Sequence, residues 1–226
     1  MMVPLHRHQL VRLRDGAWRR ILARPWDDLA QDCLAHWADQ RLPLVVTRQP
    51  AGAAASDEIA VGLAAPLQWQ RRRIALSVAR ADVAWFDEFP RADKLPSRTR
   101  HWQRLCLALK SIGAAPRVYG SHGWQLITGL PCVHARSDVD LWIAVNDAAH
   151  ADAVAAVLGA FDAEGELPRI DGELLFPGGR AAAWREWLAW RAGGCRSILA
   201  KTLAGPMLIS ATPATAGRPN LEASAW

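Results

Sequence analysis

From residue 99 onward, apolar positions recur with a period near 3.6 in some stretches and near 2 in others, and the switches between the two mark out successive helices and strands. Trp102, Leu105, Cys106, Leu109 and Ile112 fall at three- and fourfold spacing, which predicts a helix over 99–112 ending at Gly113. A short strand is expected at 116–119, then a Gly120-Ser121 turn and a brief helix through Ile127 that stops at Gly129-Leu130-Pro131. Residues 138–145 read as a strand, 147–161 as an alanine-rich helix, and 169–176 as a strand bent at Gly172. A Trp-rich helix over 180–191 and a strand over 197–201 follow.

The first half is more broken by Pro, Gly and Arg. Leu29, Cys33 and Trp37 at fourfold spacing predict a helix over 27–40, with Asp27 or Asp28 as its N-cap. A strand is expected over 42–48, a small-residue loop over 49–57, a short apolar piece over 61–67, and a second strand over 74–78. Between Phe89 and Ser97 the chain turns polar around Pro90 and Pro96, which places a domain boundary near residue 92 and gives domains 1–92 and 93–226. Alternating strands and helices indicate an α/β or α+β layered fold with a mixed sheet, and there is no internal repeat.

Composition narrows the class. The chain has 226 residues, 51% of them hydrophobic, enough for a packed core rather than disorder. The net charge of +5 rests on scattered arginines and favours an anionic partner such as a nucleotide, a polyphosphate or an acidic protein. Neither nucleic acid nor a membrane is expected as a partner: no apolar run approaches the ~20 residues needed to cross a bilayer. The basic N-terminus lacks the apolar stretch of a secretory signal. Cys33, Cys106, Cys132 and Cys195 have no metal-ligand spacing, so reduced thiols in a cytoplasmic protein are expected. Twelve tryptophans accompany one tyrosine. Trp184, Trp187 and Trp190 form a stripe that reads as a packing face rather than a platform for bases.

One constellation names a chemistry. Gly120 permits close backbone approach, Ser121 adds a hydroxyl, and the N–H groups opening the following helix suit a phosphate oxygen. Asp138 and Asp140 lie one residue apart on a strand, hence on one face and about 6.5–7 Å apart. Two like charges there cost free energy unless a cation offsets them, and Mg²⁺ binds one or two carboxylates plus substrate phosphates. A third acid is expected on the next strand, where Asp171 and Glu173 share a face; Asp171 is favoured. The order strand, Gly-Ser, short helix, turn, Ser-Asp-x-Asp on a strand, then a later strand acid is the pattern of the nucleotidyltransferase superfamily.

The match narrows further. Arg117-Val118-Tyr119-Gly120-Ser121 with Trp124-Gln125, Thr128-Gly129-Leu130-Pro131, Ser137-Asp138-Val139-Asp140-Leu141, Asp171-Gly172-Glu173-Leu174 and Trp184-Arg185-Glu186-Trp187 closely resemble the MdcG family. So do Arg7-His8 and Arg72-Arg73-Ile74-Ala75-Leu76 near the start. The resemblance implies a nucleotidyltransferase-like mixed sheet with flanking helices, preceded by a smaller N-terminal α+β domain. It implies transfer of phosphoribosyl-dephospho-CoA from 2′-(5″-triphosphoribosyl)-3′-dephospho-CoA to a serine of the apo acyl-carrier subunit of malonate decarboxylase, with release of pyrophosphate. On this reading Asp138, Asp140 and Asp171 bind Mg²⁺ and carry catalysis, while Gly120, Ser121 and Lys201 bind substrate phosphate. Arg136 and Arg180 are further basic candidates, and Lys201 has a plainer alternative as a strand-end surface lysine. His122 and His134 flank the motif as acid–base candidates or as neutral hydrogen-bonding neighbours. Arg71, Arg72 and Arg73 would touch an anionic partner or simply enter a strand in solvent. Cys132 stands where the family pattern has an aromatic, and Trp142 after Leu141 is also divergent. Two other functions remain open from sequence: a nucleotidyltransferase using an ordinary NTP, and a catalytically silent binding module on the same fold.

Overall fold

The computed structural model describes residues 4–50, 57–96, 99–165 and 169–210. Most of the loop expected at 49–57, and Ser97 at the expected boundary, lie outside them. The described residues fall into two compact units, one drawn from residues 4–89 with 124–134 and the other from 90–123 with 135–210.

The N-terminal unit is built on a five-stranded antiparallel sheet in the order β4-β3-β2-β1-β5. Its strands are β1 (Leu10–Leu13), β2 (Leu44–Val46), β3 (Glu58–Ala64), β4 (Arg73–Ala79) and β5 (Val83–Asp87), with helices α1 (Asp15–Leu22) and α2 (Asp28–Asp39). Asp27 caps α2 by accepting a hydrogen bond from the Ala30 N–H at 3.1 Å, satisfying one of the donors that every helix start leaves open. Cys33, Leu34 and Trp37 of α2 are fully buried. Trp37 packs edge-on against Trp69 at 5.9 Å and Trp124 at 6.2 Å, and Trp124 packs on Phe89 at 5.4 Å.

The second unit holds a six-stranded sheet in the order β11-β10-β9-β8-β7-β6. These are β6 (Arg117–Tyr119), β7 (Val139–Ala144), β8 (Ile170–Leu175), β9 (Ala181–Ala183), β10 (Ser197–Lys201) and β11 (Pro206–Ser210). Only β7 and β8 run parallel, joined through α5 (Ala148–Ala163), and the other neighbours are antiparallel, so the sheet is mixed. Helices α3 (Arg100–Ser111) and α6 (Trp184–Arg191) belong to this unit, and α4 (Gly120–Thr128) begins in it. Thr99 Oγ1 caps α3 by accepting from the Trp102 N–H, and Asp147 caps α5 by accepting from the His150 N–H. Val139, Leu141 and Ile143 point from β7 into the same core as Leu105, Leu109, Val154, Leu158 and the Trp184/Trp187/Trp190 stripe. That stripe is therefore a packing face: Trp187 is fully buried and its indole N–H donates to Asp152 at 2.8 Å.

Three expectations change. Residues 181–183 of the expected 180–191 helix are strand β9, paired with both β8 and β10. Alanine has helical preference, but two sheet neighbours supply the backbone partners that a free-standing segment would seek in a helix. The Gly-Ser turn is the first turn of α4 itself. Strands β1, β5 and β11 and helix α1, which the hydrophobic pattern left unread, are present.

Candidate functional site

The register of three strands assembles the acids. In β6–β7 pairing Tyr119 lies opposite Asp140, and in the parallel β7–β8 pair Asp140 lies opposite Asp171. Because Val139, Leu141 and Ile143 are buried in the core, the intervening Asp140 and its neighbour Asp171 share the other face, and Asp138 precedes them on it. Gly172 makes this pairing feasible: its φ is +155°, and a Cβ there would lie 2.1 Å from the Leu141 carbonyl oxygen. Residue 120 must be glycine for a related reason. Its φ is +61°, and a Cβ would lie 2.0 Å from Asp140 Oδ2. The Asp140 carboxylate thus rests against the opening residue of α4, beside the N–H groups that a helix start leaves open.

Burial pushes the Asp140 carboxyl up to about 6, and the neighbouring charges of Asp171, Asp138 and Glu173 push in the same direction. The other acids have engagements of their own. Asp138 Oδ2 is 3.4 Å from Arg169 Nη1, and Asp171 accepts the Gly172 N–H at 2.8 Å. Glu173, only 5% exposed, pairs with Lys201 Nζ at 2.8 Å. Asp171 is thus the acid beside Asp140, whereas Glu173 lies opposite Trp142 and is held by a lysine. Lys201, expected on the substrate phosphates, is first of all the counter-charge of Glu173.

The remaining candidates separate. His122 is half-buried; burial lowers its imidazole below the usual histidine range, and its ring is hydrogen-bonded to the Ser137 backbone. His134 groups with the N-terminal unit, Arg136 is exposed on the segment leading to β7, and Arg180 is half-buried just before β9. In the N-terminal unit Arg72 pairs with Asp27, the α2 cap, and Arg71 is exposed with φ +52°. Burial pushes the Cys33 thiol up to about 12 and that of Cys106 to about 11, and raises Cys132, so none of these three is an activated nucleophile. All four cysteines are free.

Two arginines matter that sequence reasoning passed over. Arg169 is 60% exposed next to Asp138, and its place two residues before Asp171 was the available signal, since Arg169, Asp171 and Glu173 share a face. Arg185 donates to both carboxylate oxygens of Asp162 and, at 3.0 Å, to the Ile170 carbonyl, while stacking on Trp184. It fixes the start of β8 and hence Asp171.

Among the described residues no three His, Cys, Asp or Glu side chains converge as a ready-made metal cage. The local chemistry nevertheless suits a hard divalent cation: the donors are carboxylate oxygens, and burial together with the neighbouring charges of Asp171, Asp138 and Glu173 holds Asp140 above the ordinary carboxylate range. Asp138, Asp140 and Asp171 are the residues that fit such an ion.

Comparison with known proteins is consistent along the chain. Residues 6–89 match the model of the phosphoribosyl-dephospho-CoA transferase MdcG N-terminal domain, and residues 90–212 that of the MdcG C-terminal domain. The phosphoribosyl-dephospho-CoA transferase of Xanthomonas campestris pv. campestris (strain 8004) is 36% identical over 214 residues, covering 91% of this chain and 94% of the relative. That of Bradyrhizobium diazoefficiens is 35% identical over 215 residues, covering 91% and 90%. No solved structure matches the chain.

Proposed function

The chain belongs to the MdcG family of phosphoribosyl-dephospho-CoA transferases, and from that premise we propose that its donor is 2′-(5″-triphosphoribosyl)-3′-dephospho-CoA and its acceptor a serine of the apo acyl-carrier subunit of malonate decarboxylase. The observation that carries this reading is the row of Asp140 and Asp171 in register, with Gly120 pressed against the Asp140 carboxylate at the start of α4. An anionic polyphosphate lying along that row meets helix N–H groups on one side and carboxylates on the other. The carboxylates repel it on their own. Asp138, Asp140 and Asp171 would hold Mg²⁺, which when bound would supply charge neutralisation for the triphosphate and the departing pyrophosphate.

The chain's own groups do the rest. Gly120 and Ser121 present N–H and hydroxyl donors to phosphate oxygens and fix the donor's position. The serine Oγ forms a bond to the phosphorus adjoining the ribose, the bond from that phosphorus to the bridging oxygen breaks, and pyrophosphate leaves with the electron pair. Asp171 orients the attacking hydroxyl and accepts its proton. Arg169, exposed beside Asp138, would turn onto a donor phosphate, and Lys201 supplies positive charge next to Glu173. Reduced thiols and the absence, among the described residues, of any helix long and apolar enough to cross a membrane support a cytoplasmic setting.

Incubating the protein with Mg²⁺, apo carrier subunit and either the triphosphoribosyl donor or ATP tests the reading by mass spectrometry. We expect a mass gain on the carrier serine with the triphosphoribosyl donor alone, lost in Asp138→Ala. A gain only with ATP would instead make this an NTP-dependent nucleotidyltransferase, and no gain with either would favour a silent binding module.

A further inference from the structure

Helix α6 begins and ends on a Trp-Arg pair, Trp184-Arg185 and Trp190-Arg191. Each arginine grips an aspartate of α5 through both carboxylate oxygens. Arg191 donates to Asp152 through Nε at 2.8 Å and Nη2 at 2.6 Å, and Arg185 donates to Asp162 through Nη1 and Nη2. Each guanidinium also lies over a tryptophan ring, Arg185 over Trp184 at 4.2 Å and Arg191 over Trp187 at 5.8 Å. Forked pairs of this kind fix direction as well as distance. As fasteners of α6 to α5 the two are equivalent. They differ in one contact: Arg185 Nη2 also donates to the Ile170 carbonyl at 3.0 Å. That carbonyl lies where the acid row is most easily moved. Asp171 follows Ile170 directly, and Gly172 after it has no side chain to pin the backbone. The Val139 N–H, between Asp138 and Asp140, donates to the Arg169 carbonyl at 2.9 Å. The backbone of 169–170 therefore ties the two acid-bearing strands together, and Arg185 holds that backbone to α5.

We propose that the Arg185–Asp162 fork positions Asp171 and so sets how tightly the row of Asp138, Asp140 and Asp171 takes a divalent cation. The inference rests on the metal reading of those acids given above and adds a residue that tunes the site from behind. Arg185 is a positioning residue, acting through the Ile170 backbone. Hydrogen-bonding groups that hold a metal ligand in place commonly control 10- to 100-fold in metal affinity, roughly speaking. The charge of Arg185 works against its geometry. The Asp162 hydrogen bond first, then the charges of Asp162, Asp171 and Asp138, hold the guanidinium above its usual range, so Arg185 is close enough to two of the acids to compete electrostatically with a metal ion. Removing the charge alone would tighten metal binding, whereas releasing Asp171 weakens it. The sign of the change separates the two roles.

The test is titration of Mg²⁺, with Mn²⁺ as a second probe, into the full chain without donor or acceptor, read by calorimetry and by the shift in melting temperature. Wild type is compared with Arg185→Lys, Arg185→Gln, Asp162→Asn and, at the far end of α6, Arg191→Gln. Arg185→Gln and Asp162→Asn should each raise the metal Kd about tenfold, and Arg185→Lys, which keeps the charge and loses the fork, several-fold. The Arg185→Gln/Asp162→Asn double variant should bind no more weakly than Arg185→Gln, since both changes break one unit. Arg191→Gln should lower the melting temperature of the metal-free protein as much as Arg185→Gln does and leave the Kd at its wild-type value. A Kd unchanged or lowered in Arg185→Gln, or an equal rise in Arg191→Gln, would overturn the proposal. Should Arg185→Gln fail to fold, Arg185→Lys and Asp162→Asn decide it by the same criterion. A wild-type chain that binds neither ion removes the metal reading and this inference with it; wild type and Arg185 variants binding equally well removes the positioning role alone.

Discussion

Two glycines with the same backbone strain make different contacts, and comparing them isolates what the site needs. Gly113 has φ +78° and nothing within 4 Å of an added Cβ, whereas Gly120 has φ +61° and Asp140 Oδ2 at 2.0 Å. Alanine at either position pays roughly 1 kcal/mol for the left-handed conformation. Gly113→Ala should therefore lower the melting temperature slightly and keep kcat. Gly120→Ala should cost 100-fold or more in transfer, about 3 kcal/mol of transition-state stabilisation, because it displaces the carboxylate. Equal activity in the two variants would remove Gly120 from the site. Asp140 itself makes a prediction with a defined sign. Its carboxyl is raised to about 6 by burial first and by Asp171, Asp138 and Glu173 next. The folded protein thus holds this proton when the unfolded chain has released it. Its contribution is most favourable below pH ~4, declines as pH rises towards 6, and stays as a constant penalty above. Asp140→Asn should melt a few degrees above wild type near pH 7.5, converge with it near pH 3.5, and be inactive. A lower melting temperature than wild type at neutral pH would show that the carboxylate stabilises the fold.

At the scale of elements, the β7–β8 pair is what turns separate acids into a row. Gly172→Ala would put a Cβ 2.1 Å from the Leu141 carbonyl oxygen, inside backbone rather than a flexible side chain. The strands must separate, so we expect a loss of about 3 kcal/mol or more in thermal or urea unfolding together with loss of transfer. Wild-type stability in this variant would contradict the observed register. Helices α2, α3 and α5 were legible because each combines a capping Asp or Thr with an apolar stripe. Strand β9 was not, since Ala181, Ala182 and Ala183 carry no side-chain period to read and owe their extended form to β8 and β10. Strands β1 and β5 were hidden for a related reason. They are four and five residues long, and residues such as Arg12 and Asp87 pair across them instead of alternating with apolar ones.

For the whole molecule, the linear boundary and the grouping of contacts differ. A single cut near residue 92 was expected, and the two family domains meet at 89/90, yet residues 124–134 group with the N-terminal unit. Trp124 packs on Trp37 and Phe89 there, while Gly120 and Ser121 at the start of the same helix belong to the other unit. A fragment of residues 90–226 would keep every proposed metal ligand and strip Trp124 of its partners. We expect it to be less stable than the full chain and prone to associate by size-exclusion chromatography; a monomeric fragment as stable as the full chain would contradict this. What the sequence determined by itself was local or ordered along the chain: the helix stripes and caps, the mixed α/β character, and the Gly120-Ser121, Asp138-x-Asp140 and Asp171 motifs in their order. Those features depend on residue type and short spacing, which a linear reading preserves. Only the tertiary structure decided that Asp140 faces Asp171 rather than Glu173, that Lys201 serves Glu173, that Arg169 attends Asp138, and which glycine carries which carboxylate. Strand register and burial set these relations, and both arise from packing between segments far apart in sequence.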